Sequence, residues 1–111
     1  MLDDNAIREA LAEGGALAIV EVLDLDVRNP GTRGQSTGYK LRIERVLAGA
    51  LAGEALARHY GAPLTPKGGR CAVALLATDR FEPALELLGC EDVTSAQTEQ
   101  ELERRIAALR R

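Results

Sequence analysis

The residues best suited to chemistry in this 111-residue chain are one histidine, His59, and two cysteines, Cys71 and Cys90. His59 stands in Ala57-Arg58-His59-Tyr60-Gly61 with no second histidine, cysteine or carboxylate at ligand spacing, so no metal site is assigned and the residue reads as a surface or half-buried strand histidine. A catalytic nucleophile needs a base, and the base needs an orienting partner; the only imidazole has none in sequence. No catalytic residue and no cofactor are assigned, and the chain is read as a non-enzyme. Cys71 and Cys90 are too widely spaced for a Cys-x-x-Cys site. They are either two packed thiols, the favoured reading, or one disulfide, which gains weight in an exported protein.

Two further groups could bind an anion. Gly31, Gly34 and Gly38 loosely resemble a phosphate-binding loop, but they lack the Gly-Lys-Ser/Thr ending and open a strand instead of a helix, so they read as a long hairpin loop. Arg28 and Arg33, with Lys67 and Arg70 from a later loop, could form a basic rim where a partner makes contact. They belong to a pronounced block pattern of charge. Residues 1–27 sum to −6, 28–70 to +6, 71–103 to −7 and 104–111 to +4, within a net charge of −3. A basic middle between acidic flanks is either a face for an anion or complementarity between neighbouring strands.

The elements that must position these residues are legible from periodicity. Ile7 and Leu11 with Ala6 and Ala10 make one apolar stripe, so a helix runs from about Asp4 to Glu13, capped by Asp3 or Asp4 and ended by Gly14-Gly15. From Ala16 the period becomes two: Leu17, Ile19, Leu23, Leu25 and Val27 share one face and Asp24 and Asp26 the other. After the turn residues at 29–38, Tyr39, Leu41 and Ile43 alternate with Lys40, Arg42 and Glu44. The two runs are expected to pair as a hairpin with opposed residue numbers summing to 66. Val27 then faces Tyr39, Leu25 faces Leu41, Leu23 faces Ile43 and Ile19 faces Leu47. Asp26 faces Lys40, Asp24 faces Arg42, Val20 faces Val46 and Glu21 faces Arg45, the last as a rim salt bridge or as a polar pair toward a ligand.

Further on, a turn at Ala48–Gly53 precedes a short strand at Glu54–Tyr60, a segment whose alanines would equally allow a helix. Arg70–Thr78 is apolar on both faces and reads as the central strand. Phe81–Leu88 is a strand weakened by Pro83 and expected at an edge. The last element is a helix within 95–111, with Thr98 and Glu101 as a capping box, a stripe of Leu102, Ile106 and Leu109, and Arg104, Arg105, Arg110 and Arg111 suiting its dipole.

The order of helix, "ALAIVEVLDLDV", glycine-rich loop, "YKLRIERVLAGALAG" and "RCAVALLATDR" resembles the tissue-inhibitor-of-metalloproteinases-like, or netrin-module-like, branch of the OB-fold, over about residues 5–90. The resemblance implies an α+β domain, residues 1–111, with a small antiparallel barrel or strongly curved sheet of about five strands at 16–90 between helices at 1–15 and 95–111. Metalloproteinase inhibitors of that kind insert an N-terminal cysteine into the protease; here both cysteines lie far from the N-terminus, so no functional residue is carried over.

The expectation is therefore a non-catalytic protein-interaction module whose partner is another protein. A nucleic-acid-binding barrel using the basic 28–70 segment, or a small-ligand binder, are the alternatives. The acidic total and a set of only three aromatics, Tyr39, Tyr60 and Phe81, argue against nucleic acid. No run is long enough to span a membrane, and the N-terminus lacks a secretory pattern, so cytoplasm is the starting assumption; a leader already removed would read the same. A homo-oligomer stays open because the expected strands leave an edge uncovered.

Overall fold

A computed structural model describes residues 2–110. Helix α1 spans Asp4–Ala12, and the Asp3 carboxylate accepts from the Ala6 amide at 2.7 Å, the cap expected of an aspartate there. Five strands follow: β1 (Ala16–Arg28), β2 (Ser36–Ala48), β3 (Glu54–Tyr60), β4 (Arg70–Leu76) and β5 (Leu85–Asp92). Helix α2 spans Ala96–Leu109. The strands close into a barrel in the order β1-β2-β3-β5-β4, the OB-like α+β architecture expected. All pairings are antiparallel except the short β3–β5 closure, which runs parallel through Ala57–Leu85 and Arg58–Glu86.

The barrel divides the apolar residues into two cores. Inside it pack Ala18, Val20, Val22, Tyr39, Leu41 and Val73, among others. Outside, α1 and α2 cover the other face of β1 and β4, with Ile7, Leu17, Ile19, Ala72, Leu102 and Ile106 at the contact. This accounts for the unbroken apolar run of β4: Cys71, Val73 and Leu75 face the barrel and Ala72 and Ala74 face the helices.

The hairpin is where expectation was right about the pairing and wrong about the register. Leu25 lies opposite Tyr39, Asp24 opposite Lys40, Val22 opposite Leu41 and Glu21 opposite Arg42, with irregularities at three places, one between Val22 and Asp24. A bulge at Leu23 absorbs one residue, so the inward face switches from even numbers (Ala18, Val20, Val22) to odd (Leu25). Uniform alternation cannot reveal this, and the added twist suits a strand that must curve around a five-stranded barrel. Every expected charge pair shifts accordingly. Glu21 binds Arg42, and Arg45 turns outward to Glu99 and Glu103 of α2. Lys40 reaches Glu54 at 3.6 Å, and Asp26 goes to Arg28 and Arg58. The charge blocks thus answer one another across the fold.

Three other expectations need correction. Phe81–Ala84 is a loop containing the cis Glu82–Pro83 bond, and β5 starts only at Leu85. Because the sheet closes, β5 lies between β3 and β4 and not at an edge, while β4 pairs only with Ala16–Glu21, so Asp24–Arg28 of β1 have a strand partner on the β2 side alone. The α2 cap is Ser95, whose hydroxyl accepts from the Thr98 amide at 3.2 Å, three residues before the expected capping threonine. Arg105 leaves the helix terminus to bind the Leu2 carbonyl, Asp4 at 3.2 Å and Glu91 at 3.4 Å, joining α2 to the start of the chain. Arg111 lies outside the described residues.

Cys71 and Cys90 are buried free thiols. Cys71 stands opposite Asp92 and Cys90 opposite Val73, a diagonal offset. Hydrogen bonding to Cys90 and burial hold the Cys71 thiol well above its ordinary value. Because both side chains are buried, reagents that attack thiolates should reach neither residue in the folded protein. Iodoacetamide followed by mass spectrometry is expected to show no adduct in native buffer and two in denaturant; rapid native labelling would contradict this burial.

Candidate functional site

The β2 register places the outer face of β1, β2 and β3 in three rows beyond the reach of the helices. Arg28, Ser36 and Tyr60 form the first, Asp26, Gly38 and Arg58 the second, and Asp24, Lys40 and Leu56 the third. The loop joining β4 to β5 rises beside this face, and between them lies a groove of about 580 Å³. Its wall carries Phe81, whose ring meets that of Tyr60 at 5.0 Å and 58°. Leu56 and Tyr60 are 56% and 61% exposed, the two most open large apolar side chains among the described residues.

The middle row holds a buried charge. The Arg58 side chain is only 10% exposed. It donates to Ser36 Oγ at 2.8 Å and to Asp26 Oδ2 at 2.5 Å. Gly38 permits this: any Cβ there would run into the guanidinium, so a glycine inside β2 lets Arg58 lie across the strand to reach β1. Asp26 is 58% exposed and also accepts from Arg28 Nε at 3.0 Å. Two guanidinium groups therefore share one carboxylate. Arg58, and after it Arg28, hold the Asp26 carboxyl below its usual range against the opposing effect of desolvation.

On the inward side of the same strands, His59 stacks on Tyr39 with ring centroids 5.5 Å apart. The Tyr39 hydroxyl accepts from the Leu64 amide at 3.0 Å, and Thr37 Oγ1 donates to the Gly61 carbonyl at 2.8 Å, so the 61–65 loop closes over this end of the barrel. His59 Nδ1 is buried with no hydrogen-bond partner. Burial lowers the imidazole pKa, over the opposing pull of the backbone at Ala62 and Thr37. A depressed folded value means that the unfolded chain binds the proton first as pH falls below about 6.5, so stability present above that pH is lost below it. The free energy of urea unfolding is expected to fall between pH 7.5 and pH 5 by up to about 1.4 kcal/mol per pH unit, a dependence that His59→Phe should flatten. Equal pH slopes in the two proteins would exclude this assignment. Asp26 cannot mimic the effect, since its carboxyl titrates below the ordinary carboxylate value.

The four rim residues separate into two pairs. Arg28 and Arg33 lie at the far end of the β1–β2 hairpin, Arg28 opposite Ser36. Arg70 lies opposite Glu21, and the loop carrying Lys67 docks on Val22 through Gly68 and Gly69. The two regions are seven positions apart along β1, about 20 Å at ~3.3 Å per residue. Arg70 is itself engaged by Glu44 at 2.5 Å and Glu99 at 3.5 Å. Within the hairpin loop, the amides of Gly31, Thr32, Gly34 and Gln35 all have partners inside the loop, so they do not form a cradle for phosphate.

No protein-family model matches this sequence, and no curated protein matches it. Leu56, Arg58 and Tyr60, which carry no motif in the sequence, occupy alternate positions of a strand that the sequence does reveal. The signal in the sequence is Gly38, which reads as the last turn residue and is in fact the third residue of β2, where it leaves room for Arg58. Among the described residues no group of three or more histidine, cysteine or acidic side chains converges as a metal site, and no helix is long and apolar enough to cross a membrane.

Proposed function

We propose that this protein is a non-catalytic protein-interaction module that receives an extended polypeptide segment in the groove between the outer face of β2–β3 and the β4–β5 loop. The observation that carries the reading is the exposed Leu56 lining the groove with Phe81, whose ring extends the apolar surface to the exposed Tyr60, on a face that the helices leave open. Apolar side chains held at fixed positions on a rigid barrel gain more from burial by a partner than from water, and about 25 cal/mol per Å² of apolar surface covered is available to hold that partner. OB-like barrels as a class use this face and the adjoining loops for ligands, an analogy of fold alone.

A polypeptide is favoured over a nucleic acid because Asp24, Asp26 and Glu82 offset most of the charge of Arg28, Lys40, Arg58 and Arg80 in the groove, which leaves no run of positive charge for successive phosphates. Selection from a displayed library of random peptides tests the reading, with bound peptides mapped by amide shift changes in ¹⁵N-labelled protein. Enriched peptides should shift β2, β3 and residues 80–84, and a Leu56→Asp/Tyr60→Asp double variant should lose at least tenfold in affinity. Peptides that map elsewhere, or a salt-dependent oligonucleotide complex on this face instead, would overturn it.

A further inference from the structure

We infer that the groove selects a segment carrying a carboxylate between two apolar side chains at alternate positions, and that Asp26 occupies the carboxylate site until such a partner arrives. The inference rests on the reading of this groove as a polypeptide site and specifies the ligand's chemistry.

Leu56, Arg58 and Tyr60 follow one another at every second residue on the outward side of β3; Leu56 and Tyr60 stand exposed, and between their levels the Arg58 guanidinium lies across Gly38 of β2, where it lines the groove. Successive same-face positions of an extended chain are about 6.6 Å apart, in the occupant as in β3. A partner lying along β3 with its middle side chain turned toward Gly38 therefore matches this arrangement when it reads apolar-x-acidic-x-apolar. The acidic residue is called for by the charge count at the middle row, where Arg28 and Arg58 share Asp26 alone. Lys40 is answered by Glu54 and Arg80 by Glu86, so neither leaves a comparable excess. Asp26 is the part of the arrangement able to give way: it is more than half exposed, whereas Arg58 is fixed by Ser36 and by its bed on Gly38. A carboxylate entering from the groove would take the Arg58 Nη2 hydrogen bond, and Asp26 would keep Arg28.

The probe is a fluorescein-labelled peptide with Leu-Ser-Glu-Ser-Leu at its centre, measured by anisotropy beside the same peptide with glutamine for glutamate. Loss of a charge-assisted hydrogen bond should weaken the glutamine peptide roughly tenfold. Asp26→Asn removes the internal competitor while its amide oxygen still accepts from Arg58, and should tighten the glutamate peptide by roughly threefold or more and leave the glutamine peptide unchanged. Asp24→Asn deletes an equal charge one row away, where Asp24 does not touch Arg58, and should change either affinity less than twofold. Equal affinities for the two peptides, both lost in Leu56→Ser/Tyr60→Ser, would overturn the carboxylate inference and leave the polypeptide reading standing. So would equal gains from Asp26→Asn and Asp24→Asn, which would mark a general field and not a competed site. Binding of decathymidylate with neither peptide bound would overturn both.

Discussion

Gly49→Ala is expected to destabilise the protein by about 3 kcal/mol, roughly 10 °C or more in Tm. Gly49 has φ +84°, in the left-handed region, where a side chain costs about 1–2 kcal/mol. A Cβ on it would also sit 2.5 Å from the Gly15 carbonyl oxygen and 2.9 Å from Ala16 Cα, both main-chain atoms with no rotamer to escape into. The turn leaving α1 and the turn leaving β2 touch at this point, and Gly15 is itself held by the Ala10 carbonyl at 2.7 Å. The change therefore pushes the helix-to-barrel junction apart as well as straining one residue. Gly53, four residues on, supplies the control. Its φ is +67° with nothing near a built Cβ, so Gly53→Ala should cost only the conformational part, about 1 kcal/mol. Urea unfolding followed by circular dichroism measures both; equal losses would show that the contact with Gly15 has little energetic weight.

That junction lies within a stretch whose turn and following strand are both legible from the chain. Glycines at 49 and 53 interrupt a helix, and Glu54–Tyr60 then forms the strand expected. Helix and strand identities are readable wherever one period persists over several residues, as in α1, the first half of β1, β4 and α2. Register is less so. The bulge at Leu23 leaves no mark in composition, because leucine would fit either face, and its need arises only from closing five strands into a barrel. The charge pairing misassigned for the same reason: Glu21, Asp24, Asp26, Arg42 and Arg45 have partners set by a slip that alternation does not encode.

The candidate site was legible in part. Arg28 was singled out, but as one of four cations, and their shared sign concealed that β1 carries Arg28 and Arg70 to opposite regions of the molecule. Arg58 is not legible in sequence, because a cation in Ala-Arg-His-Tyr looks like any surface residue until β2 is laid beside it and Gly38 falls opposite. Phe81 was placed in a strand; in the loop instead, it becomes a wall of the groove. Chain order carries the residue types of a site of this kind, and three-strand adjacency carries its geometry.

Ile19→Ala and Val27→Ala provide the sharpest thermodynamic test of that adjacency. Simple alternation sets both residues on one buried face, which predicts comparable losses. In the closed barrel Ile19 is fully buried beneath α1 and α2, whereas Val27, past the bulge, is substantially exposed near the hairpin tip. Removing three carbons from a packed site costs the transfer free energy plus the cavity left behind, so Ile19→Ala should lose about 3 kcal/mol. Val27→Ala should stay within about 0.5 kcal/mol of the parent. Val20→Ala should lose about 2 kcal/mol, although its side chain points the opposite way from Ile19, because β1 is covered on both faces at that level, inside by the barrel core and outside by the helices. Two adjacent costly positions followed by an inexpensive apolar one is a pattern that a half-buried alternating strand cannot produce. It also separates the supporting half of β1 from the half that faces the groove. At temperatures where Ile19→Ala remains folded, its affinity for a groove-bound peptide should match the parent's, and a loss there without unfolding would mean that the helix-covered core and the groove are coupled.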